Sequence, residues 1–188
     1  MTGRLTGKKV AILLANGFEQ VEMTEPRTAL QQEGAQTYLI SPQSEQIKGW
    51  NQGEWGDTFP VDVPLGGKAM TNANDYDALF LPGGVMNPDE LRTNAQAVQF
   101  MNSFFEVDKP VAAICHGLWM LIEADVVKGR TLTSWPSLQV DIENAGGTWL
   151  ERQVVRDKNL VTSRMPADIP QFFNPEMIEL FATWQQKS

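Results

Sequence analysis

The sequence predicts an α/β domain in which a mostly parallel sheet is covered by helices on both faces. Short β-rich apolar runs alternate with helix-length amphipathic stretches, the order that parallel strands joined by crossover helices require. The 188 residues suit one domain of ordinary size, 1–188, with no internal repeat and no linker. With 42% hydrophobic and 20% charged residues the composition is globular, which excludes disorder for the bulk of the chain and any collagenous or low-complexity class.

The elements follow in order. A strand over 10–15 leads through a loop to a helix capped by Thr24, with Pro26 in its first turn and Gly34 just past its end, and then to a strand over 37–40. From 41 to 74 the chain is rich in Gly, Pro, Trp and polar residues, with one alternating piece near 59–65. This reads as a β excursion or loop at the edge of the sheet, too short to be a domain. The alternation resumes with a strand over 78–81, a helix over 88–107, a strand over 111–114 and a helix over 117–127 closed by Gly129. A strand over 131–133, a helix over 137–145 and β runs at 153–156 and 160–163 come next. The final helix runs from 168 toward 186, broken or kinked by Pro175.

Charge and motifs narrow the function classes. Fifteen Lys and Arg stand against 23 Asp and Glu, a net charge of -8, and the basic residues are scattered singly or in pairs, so no stripe exists to neutralise nucleic-acid phosphates. The longest apolar runs, 10–15 and 117–122, fall far short of the roughly 18 residues of a spanning helix, so no membrane partner is expected. The first apolar run is not followed by a small-residue cleavage pattern and reads as a core strand, not a signal peptide, and the expected location is the cytoplasm. Neither a G-x-G-x-x-G nor a G-x-x-x-x-G-K-[ST] pattern occurs, so dinucleotide and nucleoside-triphosphate sites have no motif support. The single cysteine, Cys115, forbids an intrachain disulfide, and with the single histidine, His116, it cannot fill a four-ligand zinc site. The expected cofactor is none, and the expected chemistry is that of a thiol.

Cys115 stands where a strand passes into a helix, in AAICHGLWMLI, with Gly117 two residues on, where a tight turn needs little side-chain bulk. This imitates the nucleophile elbow G-x-S-x-G with sulfur for oxygen and Ala113 for the first glycine. At a pKa of about 8.5 a free thiol is only slightly ionised at neutral pH, and a helix N-terminus lowers that value. The opposing reading is a buried structural cysteine acting as a small hydrophobe; the junction and the adjacent histidine favour function. His116 reads equally as a partner of the thiol, if the elbow brings neighbours together, or as a helix-start imidazole bonded to backbone or solvent. Two loops open at the same sheet edge. NGFEQVE carries Glu19 in the turn before the helix; to help a thiolate it would have to be buried and protonated, and the residues alone favour an ordinary acid near a helix N-terminus, as for Glu22 and Glu25. LPGGVMNPDELR offers Gly83 and Gly84 amides to an anion or oxyanion, and Asp89 or Glu90 to orient His116, but it also reads as a capping box with Asn87 as N-cap, Pro88 at N1 and Glu90 at N3.

Four separated segments, GFEQVE at 17–22, ALFLPGG at 78–84, AICHG at 113–117, and LTSWPSLQVDIENAG with LVTSRMPAD toward the end, carry a resemblance. The chain resembles the PfpI family of intracellular cysteine hydrolases, in the superfamily that includes the human parkinsonism-associated stress protein and the class I glutamine amidotransferases. The resemblance implies a flavodoxin-like three-layer sandwich with Cys115 as nucleophile, Glu19 as the protonated acid bonded to its sulfur, and His116 as companion imidazole; Gly83 and Gly84, with Gly117 at the elbow, are the expected anion-binding residues. In PfpI-like members an acid after the paired glycines reaches the histidine from a neighbouring subunit, which implies a homo-oligomer. Asp89 is the choice for that role here, although Glu is usual there, the loop is one residue longer and Glu90 is adjacent. The implied function is a stress-protective, cofactor-independent cysteine enzyme. It acts either as a peptidase or amidohydrolase through a thioester, or on α-oxoaldehydes and their adducts as a glyoxalase or deglycase. The alternative is a non-enzymatic oxidant sensor or chaperone-like protein that uses oxidation of Cys115. Trp135, Pro136 and Arg164 fall in family-like segments and are candidates to line the pocket.

Overall fold

The computed structural model describes residues 3–67 and 72–185. Its centre is a seven-stranded sheet built on β1 (Lys9–Leu13), which alternates its side chains between two cores: Ala11 and Leu13 enter one, Val10 and Ile12 the other. A short β2 (Phe18–Glu19) runs into α1 (Gln20–Gln32), followed by β3 (Gln36–Ser41), the hairpin of β4 (Gln46–Asn51) and β5 (Glu54–Pro60), and β6 (Val63–Pro64). The chain then returns through β7 (Ala78–Leu81), α2 (Met86–Arg92), α3 (Ala95–Glu106), β8 (Val111–Ile114) and α4 (Leu118–Glu123). After β9 (Thr131–Leu132), α5 (Gln139–Asn144) and β10 (Thr148–Trp149), β11 (Val154–Asp157) and β12 (Leu160–Ser163) complete the large sheet, and α6 (Asn174–Thr183) closes the described fold.

The sheet order is β11-β12-β8-β7-β1-β3-β6, parallel throughout except for β11 against β12. Strands β7, β8 and β12 are buried along their whole length, which is why β7 and β8 read as continuous apolar runs and not as alternating ones. Helices α1 and α6 cover one face through Met23, Leu30, Met177 and Phe181; α2 to α5 cover the other through Leu91, Phe100, Phe104, Leu121 and Ile142. Burial of these two apolar layers drives the three-layer α/β arrangement. The chain leaves β1 toward β3 and later comes back to β7 on the other side, so a crevice opens at the carboxyl ends of β1 and β7. Among the described residues no helix is long and apolar enough to cross a membrane.

Several expected boundaries are corrected. Helix α1 begins at Gln20, not at a Thr24 cap: Phe18 and Glu19 pair with Gly49 and Trp50 of β4, and that pairing carries the chain straight into the helix, leaving Pro26 in its interior. The expected helix over 88–107 is two helices, because Asn94 accepts from the Ala97 N–H at 3.0 Å and starts α3 afresh. The excursion after residue 41 is the β4–β5 hairpin, turned at Gln52 and Gly53, both at positive φ, and clipped to α1 by Gln20, whose side chain bonds both N–H and carboxylate of Asp57. The strand over 131–133 shortens to β9 and pairs with β10 outside the main sheet. Pro175 sits at the start of α6, and the turn before it, Ile169–Phe173, is a π-helix; the expected end at Gln186 lies outside the described residues.

Candidate active site

Cys115 is the first residue after β8, and its backbone has a φ of 61°, a left-handed conformation rare for a residue with a side chain and worth roughly 1–3 kcal/mol of strain. The elbow fits because its neighbours lack bulk. A Cβ on Gly117 would stand 2.8 Å from the Leu81 carbonyl oxygen and 2.9 Å from that of Pro82, so only glycine lets the turn lie against the end of β7. A Cβ on Gly83 would meet Glu22 Oε2 at 2.3 Å and Cys115 Cβ at 2.7 Å. Gly84, at a φ of 80°, has no room for a Cβ beside the Glu19 nitrogen, 2.5 Å away. Asn87, fully buried, ties these loops together: its Oδ1 accepts from the Ala15 N–H at 2.7 Å and its Nδ2 donates to the Pro82 and Gly83 carbonyls at 3.1 and 3.0 Å. It is therefore not the N-cap of a capping box; α2 starts one residue earlier, at Met86.

The elbow brings the neighbours together. Cys115 Sγ lies 3.3 Å from His116 Nδ1, which decides between the two readings of the histidine in favour of contact with the thiol. Burial lowers the His116 pKa, so the ring is uncharged at neutral pH. It stacks on Trp135 at 5.9 Å and meets the edge of Trp119 at 5.0 Å, and Trp119 is itself fixed by an Nε1–H bond to Asp141 Oδ2 at 3.1 Å.

The acid at the sulfur is Glu22, not Glu19. Glu22 has no solvent exposure, its Oε2 accepts from the Gly83 N–H at 3.0 Å, and it shares a hydrogen bond with the Cys115 thiol; Oε1 is buried without a partner. Burial pushes its pKa up to about 8, so at neutral pH it is mainly protonated. The early start of α1 explains the exchange: Glu22, Pro26 and Leu30 share the buried stripe of the helix, whereas Glu19 precedes it on β2 and is half-buried. The spacing i, i+4, i+8 is visible in the sequence and was the signal for Glu22.

The thiol differs from expectation as well. Burial, the Glu22 charge and the Glu22 hydrogen bond push the Cys115 pKa well above its ordinary value; only the His116 and Gly84 backbone amides pull it down. Cys115 is 6% exposed, and a one-turn 3₁₀ segment, Cys115–Gly117, separates it from α4, so helix-end stabilisation does not dominate. The Gly83 N–H is taken by Glu22, so it is not an open oxyanion donor; Gly84 is the glycine whose amide faces the sulfur, and Gly117 serves by its lack of bulk.

A cleft of about 500 Å³ opens over Cys115 and His116, walled by Trp50, Val85, Met86, Trp135 and Pro166, with Glu19 and Glu22 also on its surface. Of the three pocket candidates from the sequence, Trp135 lines it. Neither Pro136 nor Arg164 does, and Arg164 is held by both oxygens of Asp168 and by Glu151. Within one chain neither Asp89 nor Glu90 touches His116: Asp89 is paired with Arg92, whose guanidinium lies over Trp119 at 4.4 Å, and Glu90 accepts from Gln43. Among the described residues no group of three or more His, Cys, Asp or Glu is placed to hold a metal ion.

Comparison with known proteins bears on the family and the fold. The sequence profile of the DJ-1/PfpI family matches residues 8–179. An uncharacterized protein of Staphylococcus aureus (strain Mu50) is 42% identical over 176 residues, 92% of this chain and 97% of the relative. One from Staphylococcus haemolyticus (strain JCSC1435) is 40% identical, covering 92% and 96%. Among solved structures, a two-domain protein of Anabaena variabilis with DJ-1/ThiJ/PfpI-like and ferritin-like domains superposes with a TM-score of 0.83 at 34% identity, over 92% of this chain and 47% of that one, so this chain spans about half of it. Drosophila melanogaster DJ-1beta, 24% identical, shares the fold with a TM-score of 0.82 over 94% of this chain and 91% of its own.

Proposed function

Because the chain belongs to the DJ-1/PfpI family, we propose that it is a cysteine-dependent enzyme acting on small electrophilic carbonyl compounds, α-oxoaldehydes and their amine adducts foremost. The observation that carries this reading is the 3.3 Å contact between the Cys115 sulfur and an uncharged imidazole, beside a cleft of small-molecule size.

The chemistry uses groups already in place. His116 Nδ1 takes the thiol proton as sulfur adds to the aldehyde carbon; the C=O π pair moves to oxygen, which receives the proton back, and a hemithioacetal results. The hydrogen on that carbon then leaves as a proton while another is delivered to the adjacent keto carbon. One carbon is oxidised as its neighbour is reduced, and no external oxidant is needed. Water cleaves the resulting thioester to a 2-hydroxy acid and regenerates the thiol. In an amine adduct, the amine departs with a proton before hydrolysis. Protonated Glu22 keeps a second negative charge away from the developing thiolate.

Conversion of methylglyoxal to lactate tests the reading. Wild type turns over, Cys115→Ser loses activity, and His116→Ala loses about 10²–10⁴-fold in kcat, the usual contribution of a positioned proton carrier. Turnover retained in Cys115→Ser, or absent from wild type, overturns it.

A further inference from the structure

Once Glu22 is recognised as the acid at the sulfur, Glu19 is left without a role. It is half-buried on the cleft wall, and burial raises its pKa, the mark of a carboxylate that has lost water without gaining a compensating charge. Among the described residues its side chain has no ion pair. Three cations of the chain are held by other groups: Lys48 Nζ lies over Trp55 at 5.8 Å, Arg92 is bound by Asp89 and Trp119, and Arg164 by Asp168 and Glu151. Among the described residues no Lys or Arg lines the cleft.

The walls next to Glu19 are aromatic. Trp50 is its register partner in the β2–β4 ladder, so the two side chains neighbour one another, and Trp135 stands over His116 on the same cleft. Indole faces attract cations, and a carboxylate beside them adds a full charge in a medium less polar than water. Glu22, also on the cleft wall, is buried and keeps Oε1 without a hydrogen-bond partner. The net charge of -8 reinforces the same preference at long range.

We propose that Glu19, with Trp50 and Trp135, forms a subsite for a positively charged group, so that the electrophiles Cys115 takes are those carrying an ammonium or guanidinium near the reactive carbon, and anionic ones are turned away. This rests on the assignment of Cys115 as the reacting thiol and extends it to substrate class: carbonyl adducts and aldehydes borne by cationic amines or guanidines.

Charge selection can be read without turnover, because Cys115 is the only thiol in the chain. The intact protein is treated with three methanethiosulfonates that differ in charge: cationic trimethylammonioethyl, neutral methyl and anionic sulfonatoethyl. Modification rates are followed by mass spectrometry and normalised to those of free cysteine. In wild type the cationic reagent gains over the anionic one. Glu19→Gln lowers the normalised rate of the cationic reagent about tenfold, equivalent to about 1.4 kcal/mol, and leaves the neutral rate in place. Glu123→Gln, which removes one exposed charge on α4, changes none of the three. Equal normalised rates in wild type, or a cationic-over-anionic preference undiminished in Glu19→Gln, overturns the proposal. Failure of the enzymatic reading shows differently, as absence of methylglyoxal turnover with charge selection intact.

Discussion

Replacing Glu22 by Gln keeps the shape of the side chain but removes its titration, and the consequence for stability follows from the structure. The carboxyl has an ordinary pKa of 4.5 and is pushed up to about 8 in the folded protein by burial. Between those values the folded state binds a proton that the unfolded state has released. Stability contributed by this group is therefore fully present below pH 4.5 and is lost as pH rises toward 8. Inside that window the loss runs at about 1.4 kcal/mol per pH unit, so from pH 5.5 to 7.5 wild type loses about 2.7 kcal/mol that the Gln variant does not. For a chain of this size that equals a change of roughly 5–10 °C in Tm. His116 acts in the opposite sense, since burial lowers its pKa and stability rises as pH climbs through its titration, but it is present in both proteins and cancels in the difference. The assay is urea unfolding of wild type and Glu22→Gln at pH 5.5, 6.5 and 7.5, with the difference plotted against pH. The variant should gain steadily on wild type. Parallel profiles, or a wild type that gains on the variant with rising pH, would refute the assignment of Glu22 as a buried acid protonated at neutral pH.

The loops that shape the site give two further expectations. Gly83→Ala places a methyl 2.3 Å from Glu22 Oε2 and 2.9 Å from the Ile114 carbonyl oxygen, so overpacking should cost about 1–3 kcal/mol in urea unfolding and alter the thiol labelling rate; wild-type values for both would contradict the geometry. Asn87→Ala strands the Ala15 N–H and the Pro82 and Gly83 carbonyls in the interior, and should lower unfolding free energy by about 2–4 kcal/mol; a loss below about 1 kcal/mol would mean the bonds are replaced.

The framework was legible because parallel strands buried on both faces leave an unmistakable mark. Runs such as ALFL in β7 and VAAI in β8 have no polar interruption, and Cys115 falls at the end of one of them. The contact between Cys115 and His116 was not legible, since neighbours in a regular element diverge and only the left-handed backbone at Cys115 folds their side chains together. Glu22 was passed over because the local signals, Thr24 as a cap and Pro26 in a first turn, placed the helix start after it. The pairing of Phe18 and Glu19 with β4, a contact remote in sequence, moved that start and turned Glu22 inward. Asn87 misled for a similar reason: its side chain suits a helix cap, but three bonds to other loops outcompeted the one a cap would make.

A thiol whose pKa is raised is compatible with nucleophilic chemistry once the protons of the whole site are followed. Near neutral pH Glu22 is mainly protonated, Cys115 is a thiol and His116 is uncharged, so these three groups together carry no net charge, as their low-polarity surroundings favour. Passing the thiol proton across the 3.3 Å Sγ–Nδ1 contact to His116 creates a thiolate and an imidazolium side by side, a pair whose mutual attraction offsets part of the cost of separating charge there. If Glu22 were ionised instead, the thiolate would form against a second negative charge, a far less favourable state. The buried acid therefore protects the reactive state by staying neutral, while the His116 and Gly84 amides stabilise the sulfur that develops charge. Reactivity then depends on an electrophile arriving to accept the electron pair, which leaves a resting thiol shielded from solvent until the cleft is occupied.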